Sequence, residues 1–495
     1  MPKKIISILA YLVLIGCLCS LFYFRKIKSI ELKILNEDGV IQSAIITFEN
    51  SSLEFVTNKN GLASIPRSLI GAGVSVAAVG HLIAHNCLGN NNNQIFLTKV
   101  DPVDSNKYLW VHPLEGDQSC NTCHPAIVNE WRHSAHSQSS VGYRFLEMFG
   151  EKKNDGKPVQ GWSLSRDLPE GKTVCVACHA PGVGAGQAGL ENIKEVVGVD
   201  RLGVHCDFCH KVGGIKEKEV GFAHGRDLLE LYRPEKGQVF FGPMKNAKRN
   251  DNSYAPVYQQ SIYCASCHEG TMFGIRAYTT FSEWQKSPAA AQGLQCQSCH
   301  MKPDGKMENI APEKGGIKRN PMELASHNLM PGGLKLMLQS SIFHQEEIIQ
   351  SEKDTMVRVR VKATNVGHKI PTGYIDRHLI LELSGTDGEK ELLPVDGNLI
   401  PIWADADLAG KGGVVFGRPL LDKRKRLLQP FWLAEEDVID TRLEPEMSYE
   451  YIWKFPKELR SLKIQMIYRP FWKEQQKLKK WSNKELLIFE TTLEP

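Results

Sequence analysis

The sequence has almost no cysteine to spare. Of 13 cysteines in 495 residues, ten fall in one repeated pattern, leaving Cys17, Cys19 and Cys87. Three scattered thiols cannot build a disulfide framework, and no cysteine follows Cys299. An excess of charge is missing too. The 60 Lys and Arg against 56 Asp and Glu leave a formal charge of +4. No basic patch interleaved with aromatics is present, which argues against a nucleic-acid partner.

What is present is Cys-x-x-Cys-His, five times: Cys120/Cys123/His124, Cys175/Cys178/His179, Cys206/Cys209/His210, Cys264/Cys267/His268 and Cys296/Cys299/His300. This is the attachment signal of c-type haem. Thiols at i and i+3 reach the two vinyl groups of one porphyrin, and the adjacent imidazole reaches the iron as proximal ligand. Five covalently bound c-type haems are expected. A zinc reading of the cysteine pairs leaves the histidine after every pair unexplained.

Haem attachment takes place outside the bacterial cytoplasm, and the N-terminus agrees with export. Met1-Pro-Lys-Lys is followed by an apolar run from Ile5 to Phe24 and then Arg25-Lys26-Ile27-Lys28. Twenty such residues at ~1.5 Å rise span the ~30 Å hydrocarbon core. With no small-x-small cleavage site after it, residues 1–29 read as an uncleaved anchor, the bulk of the chain lying in the periplasm. The alternative is a lipoprotein acylated at Cys17, within Leu14-Ile15-Gly16-Cys17, at the outer membrane or cell surface.

Residues 30–100 read as a small β-sandwich. Ile30, Leu32 and Ile34 alternate with Glu31 and Lys33, and Val74, Val76 and Ala78 alternate again. The turns Glu37-Asp-Gly39 and Thr57-Asn-Lys-Asn-Gly61 resemble those of transthyretin-like modules, which implies a spacer or protein-contact role. His81, His85 and Cys87 are poor metal candidates and read as strand and loop residues. Beyond 345 the two-residue period returns at Val357/Val359/Val361, Leu379/Leu381/Leu383, Tyr449/Tyr451/Trp453/Phe455 and Leu462/Ile464/Met466/Tyr468. Residues 346–495 are therefore expected to form a second β-sandwich.

Between these lies the expected pentahaem domain, 101–345. Its first cysteines are spaced by 55, 31, 58 and 32 residues. Roughly 36 residues per haem cannot build an ordinary core, so short helices and loops packed on macrocycles are expected, with little sheet. An internal echo pairs Glu130-Trp131-Arg-His-Ser134-Ala-His136 with Glu283-Trp284-Gln-Lys-Ser287-Pro-Ala289. His136 in the first copy is Ala289 in the second. Gly184-Ala-Gly186-Gln-Ala-Gly189 matches a dinucleotide fingerprint, but no strand precedes it, and it reads as a loop.

Cys120-x-x-Cys-His124 followed by Trp131-x-x-Ser134-x-His136 resembles the opening of the tetrahaem cytochrome c family of ammonia oxidisers, which implies a ligand role for His136. Ser261-Ile-Tyr-Cys-Ala-Ser-Cys-His-Glu269, Glu283-Trp284 and Cys296-Gln-Ser-Cys-His-Met301 are similar to a wider group of bacterial multihaem cytochromes. So are Ser326-His327-Asn-Leu-Met-Pro-Gly-Gly333, Asn365-Val-Gly-His368-Lys-Ile-Pro-Thr-Gly373 and Asp440-Thr-Arg442-Leu-Glu-Pro445. That likeness covers about 120–495 and implies distal-ligand roles for His327 and His368. His368 also lies in a rigid turn between strand patterns, suited to holding an imidazole outward. His133, His205 and His224 are weaker candidates. His205 directly precedes Cys206 and would have to serve a neighbouring haem.

Mostly bis-His, low-potential haems imply electron transfer. The expected partners are other redox proteins, a quinol-oxidising membrane complex among the donors. The alternative is a multihaem oxidoreductase with one open haem acting on a small nitrogen or sulfur compound. The pentahaem nitrite reductases place Lys where one motif His would stand; here all five motifs end in His.

Overall fold

The structure, a computed structural model, describes residues 29–90, 93–153, 155–183, 192–435 and 439–495. The expected anchor with Cys17 and Cys19, and the glycine-rich loop 184–189, lie outside these. Among the described residues no helix is long and apolar enough to cross a membrane.

Two compact units are formed, and they do not follow chain order. One takes the described residues up to Leu109 together with His210–Gly214 and Glu230–Tyr258. The other takes Trp110–Cys209, Ile215–Leu229 and Gln259–Pro495.

The first unit is built on two four-stranded sheets. In one, Ser29–Asn36 pairs antiparallel with Gly39–Val40 and Leu62–Pro66 and parallel with Gln94–Phe96. In the other the order is Glu54–Val56, Ile45–Phe48, Gly73–Ala77, Ala84–Cys87. Ile30, Leu32 and Ile34 point into the shared core with Ile46, Ile65, Val74 and Val76, as the alternation requires. Gly61 closes the second turn at φ +69°, where a Cβ would lie 2.8 Å from Val40 Cβ and 2.9 Å from Ile34 O. No other residue fits there. Segment 230–258 is part of this unit. Ser253 bridges to Leu82 and donates to the His81 carbonyl, while Lys245 and Lys248 pair with Glu54 and Glu49. His81 is bonded to Asn36 and to the Val79 carbonyl, and His85 to Ser75.

The second unit joins the motif-bearing segments to the C-terminal sandwich. Its motif part consists of short helices, among them Pro125–Arg132, Tyr143–Phe149, Ile262–His268 and Thr280–Gln285, with one hairpin, Glu269–Met272 with Ile275–Thr279. The sandwich pairs Ile342–Gln350, Asp354–Ala363 and Ser448–Pro456 in one sheet. The other sheet orders Glu391–Leu392, His378–Thr386, Ser461–Arg469 and Leu486–Leu493, with Gly412–Phe416 also on His378–Thr386. Val357, Val359 and Val361, with Trp453 of the same sheet, share one core with Leu379, Leu381, Leu383 and Ile464 of the other. A further core joins both parts: Phe149, Trp162, Leu164 and Val176 pack with Ile375, Ile380, Trp432 and Trp472. Burying side chains of this size stabilises by ~1.5–3 kcal/mol each, so the sandwich is part of the motif-bearing fold.

Candidate functional site

Each Cys-x-x-Cys segment is helical: Cys120–Cys123, Cys206–Cys209 and Cys296–His300 form about one turn, Ile262–His268 about two, and Val176–His179 continues from the 3-10 helix that ends at Cys175. One turn places residues i and i+3 on one face, so both thiols of a pair face the same way. All ten are free thiols. Burial pushes the Cys175 and Cys209 thiols up to about 12. Thiols of different motifs also meet. Cys206 lies against Cys120, Cys178 against Cys267, and Cys264 against Cys296, while Cys209 senses Cys267.

Four of the five motif histidines have one Nδ1 arrangement. His124, His179 and His210 donate to the carbonyls of Ile310, Ser139 and Phe241 at 2.7 Å, and His300 to that of Leu329 at 2.9 Å. A carbonyl can only accept, so Nδ1 carries the proton and the Nε2 lone pair is left for a metal. Phe145 stacks on His179 with ring centres 3.8 Å apart, and Tyr258 stacks on His210.

Two expected distal histidines stand opposite motif histidines. The rings of His136 and His268 are 6.3 Å apart and those of His300 and His368 6.2 Å apart, centre to centre. Two imidazoles sharing one iron need about 2.0 Å per metal–nitrogen bond and roughly 1.1 Å from each nitrogen to its ring centre, about 6.2 Å in all. Both pairs meet that requirement. Burial favours the neutral form that a ligand needs at His136, His268 and His368. Burial lowers His136 to about 4 and His368 below its usual range. Burial, then the nearby His136, lowers His268 to about 3.

The other expected ligands are placed differently. His327 is held by its backbone N–H, which donates to Glu130 Oε2 at 2.6 Å, and its Nδ1 is 3.2 Å from the Ala325 carbonyl. His224 is beside Gly270, and the next residue, Gly225, lies against Ala177 of the second motif. The buried Nδ1 of His224 has no hydrogen-bond partner. His133 is exposed and donates to the Asn129 carbonyl. His205 is fully buried, and its Nδ1 accepts from the Phe208 N–H at 3.2 Å. Its proton is therefore on Nε2, 3.6 Å from Asp200 Oδ1, so it presents a donor where a ligand needs a lone pair.

Sequence reasoning missed the residues that hold the His368 turn. Glu283, 5% exposed, pairs with Arg442 at 2.8 Å. It also accepts from Thr279 at 2.5 Å, Thr372 at 2.9 Å and the Lys369 N–H at 3.3 Å. Arg442 and Lys369 both reach Asp440. The available signal was the echo: Glu130 grips the backbone of His327, and Glu283 grips the backbone beside His368. Ala289 completes it. A Cβ on Gly367 would be 3.4 Å from that of Ala289 and 3.1 Å from Trp284. The turn carrying His368 thus lies where the first copy has a histidine.

Residues 119–211 match the family described as Cytochrome c554 and c-prime. Cytochrome c-554 of Nitrosomonas europaea is 27% identical over 177 residues, 34% of this chain and 66% of that protein's own length. The chain resembles bacterial multihaem c-type cytochromes. A penta-heme cytochrome c552 from Thermochromatium tepidum shares the fold, with a TM-score of 0.55 and 20% identity over 76% of this chain and 97% of that one. The likeness in fold thus extends beyond the first three motifs to a large part of the chain. The residues fit c-type haem: paired thiols on one face, imidazoles protonated at Nδ1, and rings spaced for one iron.

Proposed function

We propose that this chain is a five-haem electron-transfer protein whose C-terminal sandwich completes one haem site. The observation that carries it is the pair of ring separations, 6.3 and 6.2 Å. Each motif would hold one haem through its two thiols, with His124, His179, His210, His268 and His300 as proximal ligands. His136 would be the distal ligand opposite His268, and His368 the distal ligand opposite His300. His327 and His224 are candidates for the remaining irons, with His133 behind them. Haem supplies reversible one-electron redox chemistry, and bis-His ligation sets a low potential.

The residues of the chain determine the order of contact. The thiol contacts link the first motif to the third, the third to the fourth, and the fourth to both the second and the fifth. That gives a branched file with the Cys264–His268 site at its junction. Electrons would pass from a membrane-side donor, a quinol-oxidising complex being one such class, to periplasmic or extracellular redox proteins. The apolar run 5–24 would tether the chain to the cytoplasmic membrane, or Cys17 would do so as a lipid anchor.

Low-temperature EPR with visible spectroscopy, before and after cyanide, tests this reading. Low-spin haems at the His136 and His368 sites, unchanged by cyanide, are expected. A high-spin haem at either site that binds cyanide would contradict it and favour an oxidoreductase with an open haem.

A further inference from the structure

A file of buried polar groups crosses the sandwich and ends beside the second and fourth motifs, and electron carriage gives it no task. Asp376 is 2% exposed. Its carboxylate lies within hydrogen-bond reach of the Tyr374 hydroxyl and of Trp472, while His378 Nε2 and Arg469 Nη1 have no hydrogen-bond partner. Buried polar atoms are nearly always paired, and leaving one unpaired costs ~1–3 kcal/mol. Two beside a buried carboxylate therefore ask for a purpose.

The groups form a sequence through the fold. At the outer end Asp407, 62% exposed, pairs with Lys473 at 2.9 Å, and Lys473 pairs with Asp405 at 2.9 Å. Asp405 pairs with Arg469 at 2.6 Å, and Arg469 is next to His378. His378 stacks on Trp472 at 4.0 Å and bonds the Asp376 carbonyl at 2.9 Å. Asp376 is close to Tyr374 and Trp472. Tyr374 senses Tyr278 and Cys175, and Tyr278 in turn senses Cys178, Cys175 and Cys267.

We propose that Asp376 takes up a proton when the haem held by the Cys175–His179 segment is reduced. The inference rests on haem attachment at that motif. One electron, supplied by a one-electron donor protein, takes the iron from ferric to ferrous. One proton from solvent adds to the Asp376 carboxylate and gives the neutral carboxyl. Charge then balances within the protein. Burial supports the exchange by raising Asp376 to about 8, so the group stands between its two forms near neutrality. The groups against it are Tyr374, Trp472 and His378; Arg469 lies beyond His378, Tyr278 of the hairpin beyond Tyr374, and Arg377, next in the chain, is near Tyr278. Loss of a positive charge at the iron favours the protonated acid, so the midpoint potential falls as pH rises.

The test is a spectroelectrochemical titration of the holoprotein from neutral to mildly alkaline pH, with mass spectrometry counting the haems. In the wild type one midpoint is expected to fall with pH, by at most about 59 mV per unit, the one-electron value for a tenfold change. Redox-difference infrared should show a protonated-carboxyl band gained on reduction. In Asp376→Asn both should vanish, with five haems and the visible spectrum retained. In Tyr374→Phe the dependence should persist in a shifted window. A pH-independent wild type, or a dependence that survives Asp376→Asn, overturns this inference alone. A haem count lacking the one at Cys175 and Cys178 overturns the haem assignment as well.

Discussion

The two Glu-Trp helices solve one problem in different ways. The first, Pro125–Arg132, follows its motif directly and leads within four residues to His136. The second, Thr280–Gln285, follows its motif only after a hairpin and leads to Ala289. The first copy carries its own imidazole. The second has a small side chain there, and Gly367 packs against it so that His368 arrives from the sandwich. On the proposed ligand assignment, a ligand absent from one repeat is supplied by a neighbouring domain. What the repeats share is a glutamate that holds the incoming loop by its backbone.

Breaking the second copy's clamp should have the largest effect. Arg442 and Glu283 are 7% and 5% exposed, so Arg442→Ala leaves a buried carboxylate uncompensated. The expected loss is about 3–5 kcal/mol, read as a lower thermal midpoint, with loosened ligation at the Cys296–His300 haem. An unaltered melt would mean that Glu283 finds another partner. Filling the space is the next test. In Ala289→Leu the added carbons meet Gly367, and an overpacking cost of about 1–3 kcal/mol is expected. The fifth haem's spectrum should change while that of the His136 site does not; equal changes in both would deny the two copies their separate solutions.

The smallest effect concerns pH. Burial raises the Asp440 carboxyl, but Arg442 and Lys369 outweigh it and hold the group well below the usual carboxylate range. A depressed carboxylate contributes stability above its unfolded pKa of about 3.9, and that stability is lost as pH falls through the folded value. Asp440→Asn should therefore melt earlier than wild type near neutrality, and the gap should close in strong acid. A gap that widens in acid would reverse the sign and remove Asp440 from the clamp.

Much of this was legible in the sequence because it is local. The five motifs are read from adjacent residues, and Val357/Val359/Val361 or Leu379/Leu381/Leu383 show a two-residue period that survives burial. His136 was singled out through a family resemblance, and His368 through a resemblance and its turn context. Their pairing with His268 and His300 was not, since ring opposition is set by tertiary packing of distant segments. The joining of 230–258 to the first unit was hidden for the same reason: its ties are ion pairs and a bridge at Ser253. The tautomer of His205 depends on the Phe208 N–H, which no pattern of residue types reveals. Glu283 was visible as an echo of Glu130, but its task appears only when the backbone at Lys369 lies against it.

The central claim, that the sandwich supplies the sixth ligand of the haem at Cys296–His300, is tested most directly by near-infrared magnetic circular dichroism of His368→Met. The account predicts that one bis-His charge-transfer band is replaced by a His–Met band, with the other haems unchanged. A spectrum identical to that of the wild type would contradict it.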